Sequence, residues 1–287
     1  MTATATLTAT REKPAHLPVR ALVGLFLTGF AAMLTEALPA GLLPEMGRTL
    51  GVSVAGAGQT VTIYAAGAAV AAIPLSRATA RWPRKRVIQL TLVTLALTNT
   101  LTAVSGAYTL TLVVRFVAGL ATGLIWSLLG GYAARLAPGD KQGRAIAIAM
   151  AGVPVSLAVG TPLGTLLGQA GGWQFAFCAL AGLAALTMLW VRATLPAMEG
   201  QASGERPKVS TVLRIPGLRT ILFVVATFIV AHNILYTYIA DLLKHAGLDG
   251  QREWVLFTGF LRGCPGLQAG EESDSCGAGQ GQPDRRQ

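Results

Sequence analysis

The fold class this sequence predicts is an all-α, polytopic membrane protein, and three observations predict it. The 287-residue chain is 52% hydrophobic and only 13% charged, where soluble domains carry about 25% charged residues. It contains seven apolar runs of about twenty residues, the length that crosses a bilayer. Its lysines and arginines alternate between the gaps. Of 23, sixteen fall in the N-terminal tail and in every second gap, while only Arg48, Lys244 and Arg252 fall in the intervening gaps. That asymmetry places the N-terminus and the basic gaps on the cytoplasmic side of an inner membrane. It also explains the net charge of +10 by topology, with no need for a nucleic-acid partner.

In order, residues 1–20 read as a cytoplasmic tail, rich in threonine and alanine. The first run extends from Ala21 to about Leu43 and holds Glu36. Ala37-Leu38-Pro39-Ala40 loosely mimics a signal-peptide cleavage site, but the apolar runs that follow argue for a retained span. Further runs at about 57–76, 87–107, 109–134, 143–168 and 174–195 complete a six-helix N-terminal bundle over 21–195. Residues 196–217 form the longest polar break, read as a cytoplasmic linker. A seventh span at 218–243 contains His232 and Asn233. Residues 244–261 read as an outer loop and the start of an eighth span that stops short. From 262 to 287 the text turns Gly-rich and polar, and this tail reads as disordered or as the product of a frameshift near Gly259, in a chain truncated in its second half. The cysteines show no metal-ligand or disulfide spacing. Cys178 reads as a small buried hydrophobe, and Trp82 and Trp173 as interfacial anchors.

The fourth run carries one charge, Arg115, deep within it. A guanidinium near mid-bilayer costs about 2.5–3.5 kcal/mol on insertion scales and marks a functional site by default. Gly119, Gly123, Ser127 and Gly131 follow at every fourth residue, on one slowly drifting face. In the fifth run Gly152, Ser156, Gly160, Gly164 and Gly168 repeat the pattern, with Pro162 adding a bend. Small residues let membrane helices approach closely. Glu36 and Arg115 lie at similar depth, roughly 10 Å from the outer ends of their spans at 1.5 Å per residue, so an ion pair is geometrically open. The structural alternative is a static pair that fixes packing. His232 beside Asn233 reads as a hydrogen-bonded packing pair or as a proton or substrate site. Phe30, Tyr64 and Trp126 read as packing aromatics that could also line a cavity.

These segments carry a resemblance. RFVAGLATG, from Arg115 to Gly123, resembles the fourth-helix motif of the major facilitator superfamily. GVPVSLAVGTPLG, from Gly152 to Gly164, resembles the fifth-helix motif of its antiporter branch. TEALPAGLLPEMGRTLGVS, from Thr35, is similar to the first-helix signature of its sugar-efflux-like and drug:proton antiporter members. Six helices, a basic linker and further helices match the superfamily's plan. RATARWPRKR, from Arg77, sits where its inner-loop motif belongs. Arg81, Arg84, Lys85 and Arg86 fit, but the motif's acid falls on Ala80 and its second glycine on Pro83, which puts the inner-gate clasp in doubt.

The resemblance implies the facilitator fold, a proton-coupling role for Arg115, and efflux of a small molecule of drug or sugar class against protons by alternating access. Its partners would be the lipid bilayer, protons and the substrate. No cofactor or metal is implied, and no nucleophile–base constellation points to an enzyme. If Glu36 approaches Arg115 in one state and leaves it in another, it loses and gains a proton in turn. The alternative is a non-transporting membrane interaction or regulatory protein, or a non-functional fragment. Substrate and oligomeric state are not encoded legibly.

Overall fold

A computed structural model describes residues 17–200, 211 and 214–245, with side chains to residue 231. Its described elements are all helical, and six are long and apolar enough to cross a membrane. Most of the outer loop, expected from residue 244, the partial eighth span, the tail, Cys264 and Cys276, and the side chains of His232 and Asn233 lie outside the described residues. So do most of the proposed linker and residues 1–16.

The first span, α1 (Val19–Ala37), begins behind Pro18. It ends where Pro39, which has no N–H and restricts the residue before it, turns the chain into a 3-10 turn, Leu38–Gly41. A short helix, α2 (Leu43–Leu50), has Glu45 in its first turn and Arg48 in its last, which suits the helix dipole. It stops at Gly51, whose φ of 68° is left-handed. Ser53 caps α3 (Val54–Ala72) by accepting the Gly56 amide at 3.1 Å. Pro74 opens a one-turn helix, α4 (Pro74–Ala78), and Pro83 precedes α5 (Arg84–Val104). The longest unbroken helix among the described residues is α6 (Tyr108–Leu136), 29 residues.

The fifth run is broken. It comprises α7 (Gln142–Met150), a single turn α8 (Gly152–Val155), a π turn at Ser156–Gly160 and α9 (Thr161–Gly171). The expected bend at Pro162 is realised as this π turn. The missing Pro162 amide interrupts the ladder, and the Thr161 amide bonds to the Ser156 carbonyl, five residues back. Gly172, with φ 87°, turns the chain into α10 (Trp173–Thr194). The second compact unit, residues 206–287, contains α11 (Leu218–His245), where the seventh span was expected.

Within residues 17–200 the helices are held by glycine. A Cβ on Gly119 would fall on the Tyr64 carbonyl, one on Gly123 on the Ala68 carbonyl, and one on Gly67 on the Phe116 carbonyl. Thus α3 and α6 touch backbone to backbone, as small residues allow. Gly152 meets the Phe26 carbonyl of α1 in the same way, while Gly160, Gly164 and Gly168 receive the side chains of Phe30 and Leu34, of Leu38, and of Leu42. The fourth-run stripe does not continue: a Cβ on Gly131 would meet nothing within 4 Å.

Two expectations are corrected. Trp173 is fully buried, edge-on to Phe177, and is no interfacial anchor. Cys178 is exposed, because α10 turns Ala176, Phe177 and Leu180 inward and position 178 outward. Trp82, half exposed beside the α4–α5 loop, sits as an end-of-helix anchor would.

The first residues after α10 bind back onto the bundle. Tyr132 donates its hydroxyl to the Pro196 carbonyl at 2.6 Å, the Arg84 amide donates to Met198 at 3.0 Å, and Arg135 donates to the Glu199 carbonyl at 3.2 Å. Gly200 lies against the backbone of Ala80 and Arg81.

Candidate functional site

The site begins with a proline. Pro39 offers no N–H to the carbonyl four residues earlier, so the Thr35 carbonyl loses its helical donor. Arg115 supplies one: its Nη2 donates to that carbonyl at 3.0 Å. The guanidinium is fully buried, with its central carbon 4.4 Å from the centroid of the Tyr64 ring and 5.7 Å from that of Phe177. Such cation–π contacts are worth about 2 kcal/mol or more when desolvated. Tyr64 is fixed in turn. Its hydroxyl donates to Thr122 at 2.7 Å and lies 3.4 Å from the Ala32 carbonyl. The Gly119 contact seats its backbone against α6.

The remaining donors of Arg115, Nε and Nη1, are buried and have no hydrogen-bond partner. Glu36 is not one: the two side chains make no ion pair. Glu36 is half-buried, faces the indole N–H of Trp126 and is close enough to feel the charge of Arg115. The physical reason is direction. Along α1 and α6 the numbering runs oppositely, since Gly29 meets Leu129 and Thr35 meets Arg115. Glu36, like other helical side chains, leans toward the N-terminus of its own helix, which carries it to Trp126, well beyond Arg115 along α6. The Arg115 guanidinium is held instead by the Thr35 carbonyl and the Tyr64 ring.

Asn99 of α5 joins the same cluster. Fully buried, it donates from Nδ2 to Thr35 Oγ1 at 3.2 Å, and its Oδ1 has no partner. Thr35, Thr122 and Asn99 were not singled out from the sequence, and Tyr64 and Trp126 were read as packing aromatics that could also line a cavity. Two signals were available: Thr35 stands four before a proline within a span, and Asn99 is an amide in mid-run.

Of the glycine-motif residues, Gly119 backs this cluster through Tyr64, while those of the fifth run line other surfaces. Gly160 and Gly164 line an apolar cavity of about 220 Å³ with Phe30, Leu34, Leu163 and Leu180. Ser156, in the π turn, is buried with its hydroxyl unpartnered. The inner-loop residues are at the basic end. Arg81 and Arg86 are exposed, Arg84 is half-buried, and Lys85 donates to the Arg192 carbonyl at 2.9 Å. Ala80 is buried beneath Gly200, in space where the family's acid would stand. Among the described residues no cluster could hold a metal ion.

The solved structures similar to this chain are membrane transporters. A bacterial homologue of the human lysosomal transporter Spinster, inward-facing, matches with a TM-score of 0.60 at 15% identity, over 85% of this chain and 59% of its own. The xylose transporter XylE of E. coli matches with a TM-score of 0.57 at 14% identity, over 63% and 50%. A peptide transporter in complex with alafosfalin matches with a TM-score of 0.57 at 17% identity, over 78% and 49%. The chain spans about half the length of most of these. At such identities the likeness is one of fold. The sequence pattern of the Major Facilitator Superfamily matches residues 25–267. Six apolar helices closed on glycine contacts around a buried arginine, and a match over most of the sequence, place this chain in the Major Facilitator Superfamily.

Proposed function

We propose that the chain belongs to a proton-coupled exporter of a small molecule, of drug or sugar class, in which Glu36 is the proton carrier and Arg115 the fixed cation. The observation that carries this reading is the pair's present separation. Arg115 keeps two buried donors without a partner while the one acidic side chain in the interior of the six spans stands nearby, facing Trp126. An unpaired buried charge costs several kcal/mol. A second state in which the carboxylate turns to Arg115 removes that cost, and its proton is then released. A cationic or polar substrate competes for the same deprotonated carboxylate, which is antiport by shared charge.

The glycine contacts of α3 with α6 and of α8 with α1 are the surfaces on which helices shift as the bundle rocks about a midplane site. In this reading the basic end is cytoplasmic and the membrane is the inner one. Each proton entering at 100 mV supplies about 2.3 kcal/mol.

The test is efflux from proteoliposomes carrying an internal pH dye, with a panel of cationic drugs and sugars. Substrate-dependent proton flux that disappears in Glu36→Gln, with membrane insertion intact, is the expected result. pH-dependent transport retained in that variant overturns the role of Glu36. Absence of proton flux with every substrate overturns the exporter reading in favour of a non-transporting membrane interaction protein.

A further inference from the structure

The geometry points to Asn99 as a positioning residue: it holds Thr35 so that the carbonyl freed by Pro39 faces Arg115. Thr35 is a junction of three bonds. Its hydroxyl donates to the Ala31 carbonyl at 2.8 Å and accepts the Asn99 amide at 3.2 Å, and its carbonyl accepts Arg115 at 3.0 Å. Thr28, about two turns earlier on the same helix, makes only the first kind of bond, to Gly24. Threonine back-bonding is ordinary within a helix; a donor from another helix is not.

The position on the helix gives that extra bond its weight. Thr35 lies in the last turn of α1, where Pro39 has already removed one rung of the ladder. The direction of its carbonyl therefore depends on side-chain ties. Asn99 pulls from α5 on one side and Arg115 from α6 on the other. Packing does not explain the amide. A buried polar group is unfavourable unless bonded, and Asn99 Oδ1 has no partner. A leucine would fill the space without that defect. The groups that act electrostatically on Arg115 are Glu36 on α1 and Tyr64 on α3. Helix α5 contributes no charge between Val87 and Val104, so it acts on the guanidinium by steering its acceptor.

Two measurements on the purified full chain test this. The first rests on the proposed protonation of Glu36 and reads the pH dependence of Trp126 emission, with Trp126→Phe as the blank. The wild type should show a step that vanishes in Glu36→Gln. Asn99→Leu should shift the midpoint of that step, and so should Asn99→Asp, which keeps the shape but loses the N–H donors. Asn99→Gln, which keeps an amide, should bring it back toward the wild type. A wild-type midpoint in Asn99→Leu overturns the inference.

The second measurement does not depend on Glu36. In thermal unfolding, Asn99→Leu and Arg115→Met each cut a tie to Thr35, so the double variant should lose less Tm than the sum of the single losses. Additive losses overturn the inference. If the wild type shows no Glu36-dependent step, the proton-carrier reading fails, and the thermal cycle alone decides on Asn99.

Discussion

Gly119 and Gly131 belong to one four-residue stripe on α6, yet the same substitution should act oppositely at the two. A Cβ on Gly119 would lie 2.9 Å from the Tyr64 carbonyl carbon and 3.1 Å from the Ala68 nitrogen, and would overlap the Tyr64 carbonyl oxygen. Ordinary contact begins near 3.4 Å, and the oxygen overlap is the worst, so α3 and α6 must part by roughly an ångström. The obstacle is main chain on a packed helix, which cannot rotate out of the way. Overpacking of this kind costs about 1–3 kcal/mol. Against it stands the gain of alanine over glycine within a helix, about 1 kcal/mol.

Gly119→Ala should therefore destabilise by up to about 2 kcal/mol net, whereas Gly131→Ala meets nothing and should be neutral or stabilising by up to about 1 kcal/mol. Thermal unfolding in detergent, with light scattering to exclude aggregation, reads both. Because Gly119 seats the backbone of Tyr64, its variant should also disturb the ring over Arg115, visible as a change in tyrosine absorbance. Equal Tm for the two variants would refute the claim that backbone contact between α3 and α6 holds the bundle.

Other outcomes follow from the same geometry. Tyr64→Phe removes the hydroxyl bond to Thr122 but keeps the ring over Arg115. It should cost about 0.5–1.5 kcal/mol and leave proton coupling in place, whereas Tyr64→Leu should lose both; denaturation and vesicle assays separate the two. Pro39→Ala returns an N–H to the Thr35 carbonyl, which then competes with Arg115. Proton-coupled flux should fall at unchanged expression, and unaltered coupling would show that the freed carbonyl does not matter. Gly200→Val places side-chain atoms against the Arg81 backbone, where even a Cβ would stand 2.5 Å from the carbonyl. It should lift the segment after α10 and speed tryptic cleavage at Arg81, Arg84, Lys85 and Arg86, read by gel; an unchanged rate would sink this.

Much of the bundle was legible from sequence because membrane helices obey few rules. Apolar length marked the six spans. Pro162 marked where the fifth run breaks, since a missing N–H acts at a known distance along the chain. The glycine stripe in the fifth run also marked a true contact. What was not legible depends on the angle between helices. Depth alone put Glu36 beside Arg115, but the carboxylate turned along α1 toward Trp126, and Arg115 took a backbone carbonyl instead. Tyr64 looked like packing because no periodicity shows that its ring will lie under a cation two helices away. Gly131 looked like Gly119 because spacing along one helix cannot say where its neighbour ends.

The segment from Arg192 to Gly200 has one more consequence. Four hydrogen bonds that fasten it end on peptide oxygens: those of Arg192, Pro196, Met198 and Glu199. Any amino acid supplies such an oxygen, so the letters at most of these positions are free to drift among related chains. Spacing is not free. Adding or deleting one residue there would slide each oxygen past its donor, and Gly200 would no longer arrive where a larger residue does not fit.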